Sequence, residues 1–287
     1  MLNYLDQNAL EPELISRKNF DALKHAVWID LISPTKAEEN EIEQLMGQNL
    51  PTHEEMVEIE LSSRLYKEKD TLFMTATMIA QSESNDPQLE PVTFVLTPNQ
   101  LITLRYIDPH AFKLFISHLK KIDISHRRDP TLLLIELLDT TIDRLADILE
   151  HVGIALESHS KMIFQQVQKT KVKLNYEDIM NKIGASANLN TKACESLMTF
   201  NRLISFFLQA LNSNTNPEGL LRLISLGKDV NSLSDHANFL SNKINFLLDA
   251  TLGMVNIEQN NIIKLFSVAA VIFLPPYPGR KHLWHEL

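Results

Sequence analysis

The sequence predicts an α+β protein: an N-terminal α/β domain with a mixed sheet, followed by long helices that include a stalk helix. Three observations predict it. The first third of the 287 residues carries short apolar runs bounded by turn residues. Beyond His126-Arg127-Arg128-Asp129-Pro130, apolar residues recur at a 3.6-residue period with almost no strand signal. Between Pro217 and Pro275 there is no proline at all. Composition agrees, at 44% hydrophobic and 22% charged residues, and the length suits about two domains.

The elements follow in order. His25 to Leu31 is a strand-like run. Ser33 can cap a helix with Pro34 in its first turn, and Thr35 with Glu38 forms a second possible capping box; Leu45-Met46-Gly47 fits the helix end. Thr52 and Glu55 open a short helix through Leu61. Two hairpins come next, with strands Arg64 to Lys67 and Thr71 to Ala80, then Val92 to Thr97 and Leu101 to Tyr106. Helices are predicted over Asp108 to Lys121, Pro130 to Gln168 and Tyr176 to Leu211. A last one starts near Pro217 and runs for about 58 residues, on the order of 85 Å. Such a length predicts a coiled coil, a stalk or a helix entering a membrane.

Several function classes are excluded or disfavoured. Seven glycines, with only Gly47 before Gly153, leave no P-loop and no dinucleotide fingerprint. The single cysteine, Cys194, makes neither a disulfide within the chain nor a Cys-rich metal site. A net charge of −9 argues against a nucleic-acid surface. No nucleophile elbow is present, and Met1 to Leu10 is not expected to be a secretory signal. His151 and His159 lie two turns apart and read as ordinary surface histidines; His282 and His285 beside Glu286 read as chance. Leu265 to Pro276 is nearly all apolar, and the 15 uncharged residues between Lys264 and Arg280 make about 22 Å of helix against a bilayer core of about 30 Å. The segment can enter a membrane but not span it alone.

Two patterns carry chemistry. Glu136, Asp139, Asp143, Asp147 and Glu150 are spaced 3, 4, 4 and 3 apart on one helical face. That face either gathers hydrated divalent cations, because hard cations take carboxylate oxygens, or is a solvated face paired with lysines of a neighbouring helix. On the last helix, Asp249, Gly253, Asn256, Asn260, Ile263, Ser267, Ala270 and Leu274 recur at alternating spacings of 4 and 3. This heptad-like seam is polar where a coiled coil wants Leu or Ile, so it either lines a water-filled axis or faces solvent.

The run Ile257-Glu258-Gln259-Asn260-Asn261-Ile262-Ile263-Lys264-Leu265-Phe266-Ser267-Val268, followed by Phe273-Leu274-Pro275-Pro276, resembles the stalk and first membrane helix of the CorA magnesium transporters. Ala26 to Leu31, Arg64, Val92-Thr93-Phe94 and Leu101 to Arg105 resemble the cytoplasmic domain of that family. The resemblance implies a division into residues 1–125 (α/β domain), 126–216 (acidic helical hairpin), 217–264 (stalk), 265–276 (part of the first membrane helix) and 277–287 (divergent tail). It implies a homopentameric funnel in the bacterial inner membrane, with residues 1–264 cytoplasmic. Asn260, Ile263, Ser267, Ala270 and Leu274 then match pore-facing positions, and Asp249 a ring lower in the stalk. Magnesium is implied as the transported ion, with cobalt and nickel, and as a regulator bound by carboxylates that cannot be aligned here. No organic cofactor and no enzymatic step are implied. Family members continue to a Gly-Met-Asn signature and a second span, whereas this sequence reads Tyr277-Pro278-Gly279-Arg280-Lys281 and ends at Leu287. The expectation is a truncated, partly soluble chain that does not conduct alone. The alternative is a soluble oligomeric metal sensor or regulator built on the same domain.

Overall fold

A computed structural model describes residues 1–6, 13–14, 20–58, 60–121, 123–165, 175–211 and 217–273. The first part is a seven-stranded sheet built from β1 (Leu2–Asp6), β2 (Glu13–Leu14), β3 (Ala26–Ile32), β4 (Leu65–Glu68), β5 (Thr71–Ala80), β6 (Gln88–Leu96) and β7 (Leu101–Arg105). Its order is β2-β1-β3-β7-β6-β5-β4, with β3 and β7 parallel and the other neighbours antiparallel. The sheet is therefore mixed, as expected, and both hairpins form where the turn residues placed them.

Period-2 alternation divides the strands between two layers. Leu72, Met74, Ala76, Val92 and Phe94 join the large core shared with the long helices. Phe73, Val95, Ile29, Leu31, Ile102 and Leu104 face a smaller core closed by Ile42 of α2 (Lys36–Met46) and Met56 of α3 (His53–Val57). Because both faces are covered, all ten residues of β5 are buried.

Several helix boundaries differ from the sequence reading, among them the helix expected over Asp108 to Lys121, which spans only His110–His118. The N-cap of α2 is Thr35, in a complete capping box with Glu38, and not Ser33. Ser33 sits at φ 42° and donates its N–H to the Arg105 carbonyl at 2.8 Å, so it ends the strand instead of starting the helix. α3 has its expected capping box at Thr52 but stops at Val57, since Glu58 is extended; a separate turn, α4 (Leu61–Arg64), follows. The C-cap Gly47 of α2 is left-handed at φ 67°, the conformation for which glycine has no Cβ penalty. α1 (Phe20–Leu23) and α6 (Ile124–Arg127) are single turns, and α5 is His110–His118.

One polar network ties β3 to β7. The Arg105 guanidinium donates to both Asp30 oxygens, at 3.1 and 2.9 Å, and the side chains of both residues are almost fully buried. Thr103 Oγ1 donates to Asp30 at 2.7 Å, and Trp28 Nε1 donates to Thr103 at 3.1 Å. Arg105 also reaches Asp108 at 2.8 Å and lies 4.2 Å over the Phe112 ring.

The second part consists of α7 (Pro130–Gln165), α8 (Tyr176–Ala210) and α9 (Pro217–Phe273). The predicted end of the first helix at Gln168 lies outside the described residues. α8 also completes the sheet. β4 pairs only with Thr71 to Met74, so beyond Met74 the edge of β5 opposite β6 has no strand beside it. There Ser196 Oγ donates to the Thr77 carbonyl at 2.7 Å, and Thr77 N–H donates to Thr199 Oγ1 at 3.0 Å. Helix hydroxyls thus satisfy backbone groups that a further strand would otherwise take.

Candidate ion pathway and acidic face

α9 has 57 residues, about 86 Å at 1.5 Å per residue. Its lower part presents a buried stripe to α7 and α8: Leu223, Leu226, Val230, Ala237, Leu240, Ile244, Leu247 and Thr251. The stripe ends at Thr251. Among the described residues none from Leu252 to Phe273 is buried, so about 33 Å of helix projects beyond the core of its own chain. The upper part of this projection is apolar. Leu265, Phe266, Val271, Ile272 and Phe273 are 70–83% exposed. Among the described residues no helix is long and apolar enough to cross a membrane.

Every described member of the seam, Asp249, Gly253, Asn256, Asn260, Ile263, Ser267 and Ala270, is exposed. At its lower end the seam faces away from the buried stripe. Ser267 donates to the Ile263 carbonyl at 2.8 Å, which satisfies its hydroxyl within the helix. Leu274 lies outside the described residues, as do His282 and His285. The polar lower members and apolar upper members therefore form one unpartnered ridge. An exposed apolar run of this kind marks an interaction surface.

The acidic face of α7 is divided. Gly219 lets α9 approach closely, because a Cβ there would meet Leu132 Cδ2 at 3.0 Å. One turn on, Arg222 pairs with Glu136 and reaches Asp139 at 3.3 Å. His126 lies 3.9 Å from Glu136 and 3.7 Å from Glu218. Burial and then Asp143 push the Asp139 pKa above its ordinary value, while Arg222 pulls the other way. Higher on the helix, Asp143, Asp147 and Glu150 are exposed, and Arg144 lies 3.9 Å from Asp147 while holding Ser82 and Glu83. Two of the five carboxylates are thus committed to a neighbouring helix, by an arginine and not by the lysines the sequence suggested. Lys243 of α9 instead takes Glu157, at 3.0 Å. Among the described residues no group of three or more His, Cys, Asp or Glu side chains could hold a metal ion. The face can concentrate hydrated cations through its field, but a single chain does not assemble a coordination shell there.

Sequence reasoning missed Arg222. The one available signal was a lone arginine between the apolar Leu221 and Leu223 in the second turn of α9. Its partners are 83 and 86 residues away, beyond any local pattern.

A family model described as CorA-like Mg2+ transporter protein matches residues 24–276. The chain belongs to this family. The magnesium transport protein CorA of Mannheimia succiniciproducens is 31% identical over 272 residues, covering 93% of this chain and 83% of that protein. The CorA of Pasteurella multocida is 32% identical over 254 residues, covering 88% and 78%. Among solved structures, the CorA magnesium transporter from Methanocaldococcus jannaschii superposes with a TM-score of 0.69 at 17% identity, covering 96% of this chain and 83% of that one. The ZntB cytoplasmic domain from Vibrio parahaemolyticus gives 0.63 at 12% identity, covering 88% and 97%. At these identities the structural likeness shows the fold: a CorA-type protomer with a mixed sheet, long helices and a projecting α9.

Proposed function

We propose that the chain is a subunit of a passive magnesium channel, a homopentamer in the bacterial inner membrane that also admits cobalt and nickel. The carrying observation is the exposed ridge of α9. It leaves the core at Thr251 with a polar seam below and an apolar surface above, which suits a helix that meets copies of itself around an axis. Five parallel copies would place rings of Asp249, Asn256 and Asn260 below rings of Ile263, Ser267, Ala270 and Leu274. Magnesium sheds water reluctantly, so amide, carboxylate and hydroxyl groups would address the hydrated ion through its water shell. Residues 1–264 would lie on the cytoplasmic side, with the apolar end of α9 entering the bilayer. The exposed members of the acidic face, Asp143, Asp147 and Glu150, would raise the local cation concentration. No covalent step is involved. A doubly charged ion gains about 4.6 kcal/mol per 100 mV of membrane potential. Magnesium would also act as regulator, held by carboxylates between subunits.

Two measurements test this. Light scattering of the full chain in detergent, across protein and magnesium concentrations, should show a pentamer; a strict monomer throughout would refute the funnel. Reconstitution into liposomes loaded with a magnesium-sensitive dye tests transport. A saturable, voltage-dependent influx supports the channel reading, and no influx from an assembled, reconstituted pentamer would refute it.

A further inference from the structure

On the side of α8 turned toward the α4–β4 junction, Glu195 and Arg202 stand two turns apart, and both act electrostatically on Arg64, the last residue of α4. Arg64 is anchored by one bond, Nη2 to the Val57 carbonyl at 3.1 Å, while its Nε is buried with no hydrogen-bond partner. Arg202 is exposed and, among the described residues, makes no hydrogen bond or ion pair. Burial pushes the Arg64 pKa down, Glu195 opposes this, and Arg202 pushes it down further. Two guanidinium groups thus lie in each other's field; Glu195 offsets the charge of Arg64, whereas among the described residues no carboxylate pairs with Arg202.

Beside them lies an open groove of about 460 Å³, lined by Ser62, Asn201, Arg202, Ser205, Phe206 and Gln209 together with Leu65. None of these is acidic, in a chain with 36 acidic residues and a net charge of −9. Asn201 donates to Asn231 of α9 at 2.8 Å, and Ser205 donates to the Asn201 carbonyl at 2.8 Å, so these two brace the wall. Arg202, Ser62 and Gln209 remain as donors, and Phe206 supplies an apolar wall.

We propose that this groove binds the phosphate group of a small soluble phosphate compound. The planar guanidinium fork of Arg202 suits two phosphate oxygens at once, with Ser62 and Gln209 as further donors on the groove wall. Position along α9 separates a soluble ligand from a lipid headgroup. The Asn201–Asn231 bond fixes the groove's height, and from Asn231 to Leu265 α9 rises about 51 Å. Headgroups around the apolar end of α9 are out of reach. The exclusion of a headgroup rests on the proposed entry of the apolar end of α9 into the bilayer; the phosphate contacts themselves do not.

Inorganic pyrophosphate is the probe, titrated into the full chain in magnesium-free buffer at constant ionic strength and followed by calorimetry and thermal melting. A saturable rise in melting temperature is expected, with affinity at least tenfold weaker in Arg202→Gln and partly retained in Arg202→Lys. Arg202 is exposed, so Arg202→Gln should fold normally, and its melting curve without ligand checks this. No saturable response, or an equal response in Arg202→Gln, would overturn the proposal. So would a loss of assembled mass in Arg202→Gln at unchanged pyrophosphate affinity, because Arg202 would then pair with another copy of the chain. Loss of binding to phosphatidylglycerol vesicles at unchanged pyrophosphate affinity would overturn it equally, in favour of a headgroup.

Discussion

Replacing Arg222 with methionine keeps most of the side-chain volume and removes the charge that joins α9 to α7. The Arg222 and Glu136 side chains are only 28% and 19% exposed, so screening is partial. Two unit charges 4 Å apart at an effective dielectric constant near 20 attract by about 4 kcal/mol. Desolvation and residual exposure reduce the net loss in R222M to about 1–2 kcal/mol. That corresponds to a fall in Tm of about 2–6 °C for a chain of this size. Most of the loss should come from Glu136 left half-buried without a counter-charge. Glu136→Gln added to R222M should therefore recover about 1 kcal/mol relative to the sum of the single changes, read by urea unfolding. Acid supplies a second signature. The Asp139 pKa is already raised, and loss of Arg222 raises it further, which disfavours the charged form in the folded state. A carboxyl with a raised folded pKa costs stability as pH climbs above its unfolded value, so the R222M penalty should be larger at pH 7 than at pH 4. Additivity within about 0.3 kcal/mol, or an equal penalty at both pH values, would refute the assignment.

Asp30→Ala leaves Arg105 with Asp108 as its remaining carboxylate and should destabilise the α/β part by about 2–3 kcal/mol, seen as a lower urea midpoint at unchanged slope. His159, expected at the surface from sequence, is instead buried against the helical core with Nδ1 unpartnered, and burial, then Lys182 of α8, lower its pKa against the opposing pull of Asp178. It should cost nothing at neutral pH and progressively more as pH falls below 6.5, where only the unfolded chain takes up the proton; His159→Leu should flatten that part of the stability–pH curve. Asp139, Asp143 and Asp147 changed together to Asn should reduce the magnesium-induced rise in melting temperature, and an unchanged rise would make the face merely solvated.

The parts legible in the sequence were those governed by local rules. The three long helices follow from a 3.6-residue period and the absence of proline, and Thr35 and Thr52 cap where a Thr-x-x-Glu pattern says they should. Ser33 misled because a good capping residue beside proline also fits the end of a strand, and only the bond its N–H donates to the Arg105 carbonyl across the sheet decides between them. β1 was missed because five residues of mixed polarity carry no periodic signal; their burial comes from pairing with β3. In the candidate site, the seam can be read from spacing, since all its described members share one helix. The division of the acidic face cannot, because Arg222 arrives from another helix at a point set by Gly219.

The clasp of α8 on β5 also bears on how the chain is made. Thr77 waits for Ser196 and Thr199, 119 and 122 residues later. At about 5–20 residues per second, the ribosome takes about 6–24 s to deliver them. Until then β5, whose residues are all buried in the finished fold, offers an open edge next to apolar side chains, the arrangement that recruits strands from other chains. The nascent sheet is thus a natural client for a chaperone. A variant lacking the hydroxyls at 196 and 199 would first betray itself as lost yield during synthesis, before any purified sample showed a lower melting point.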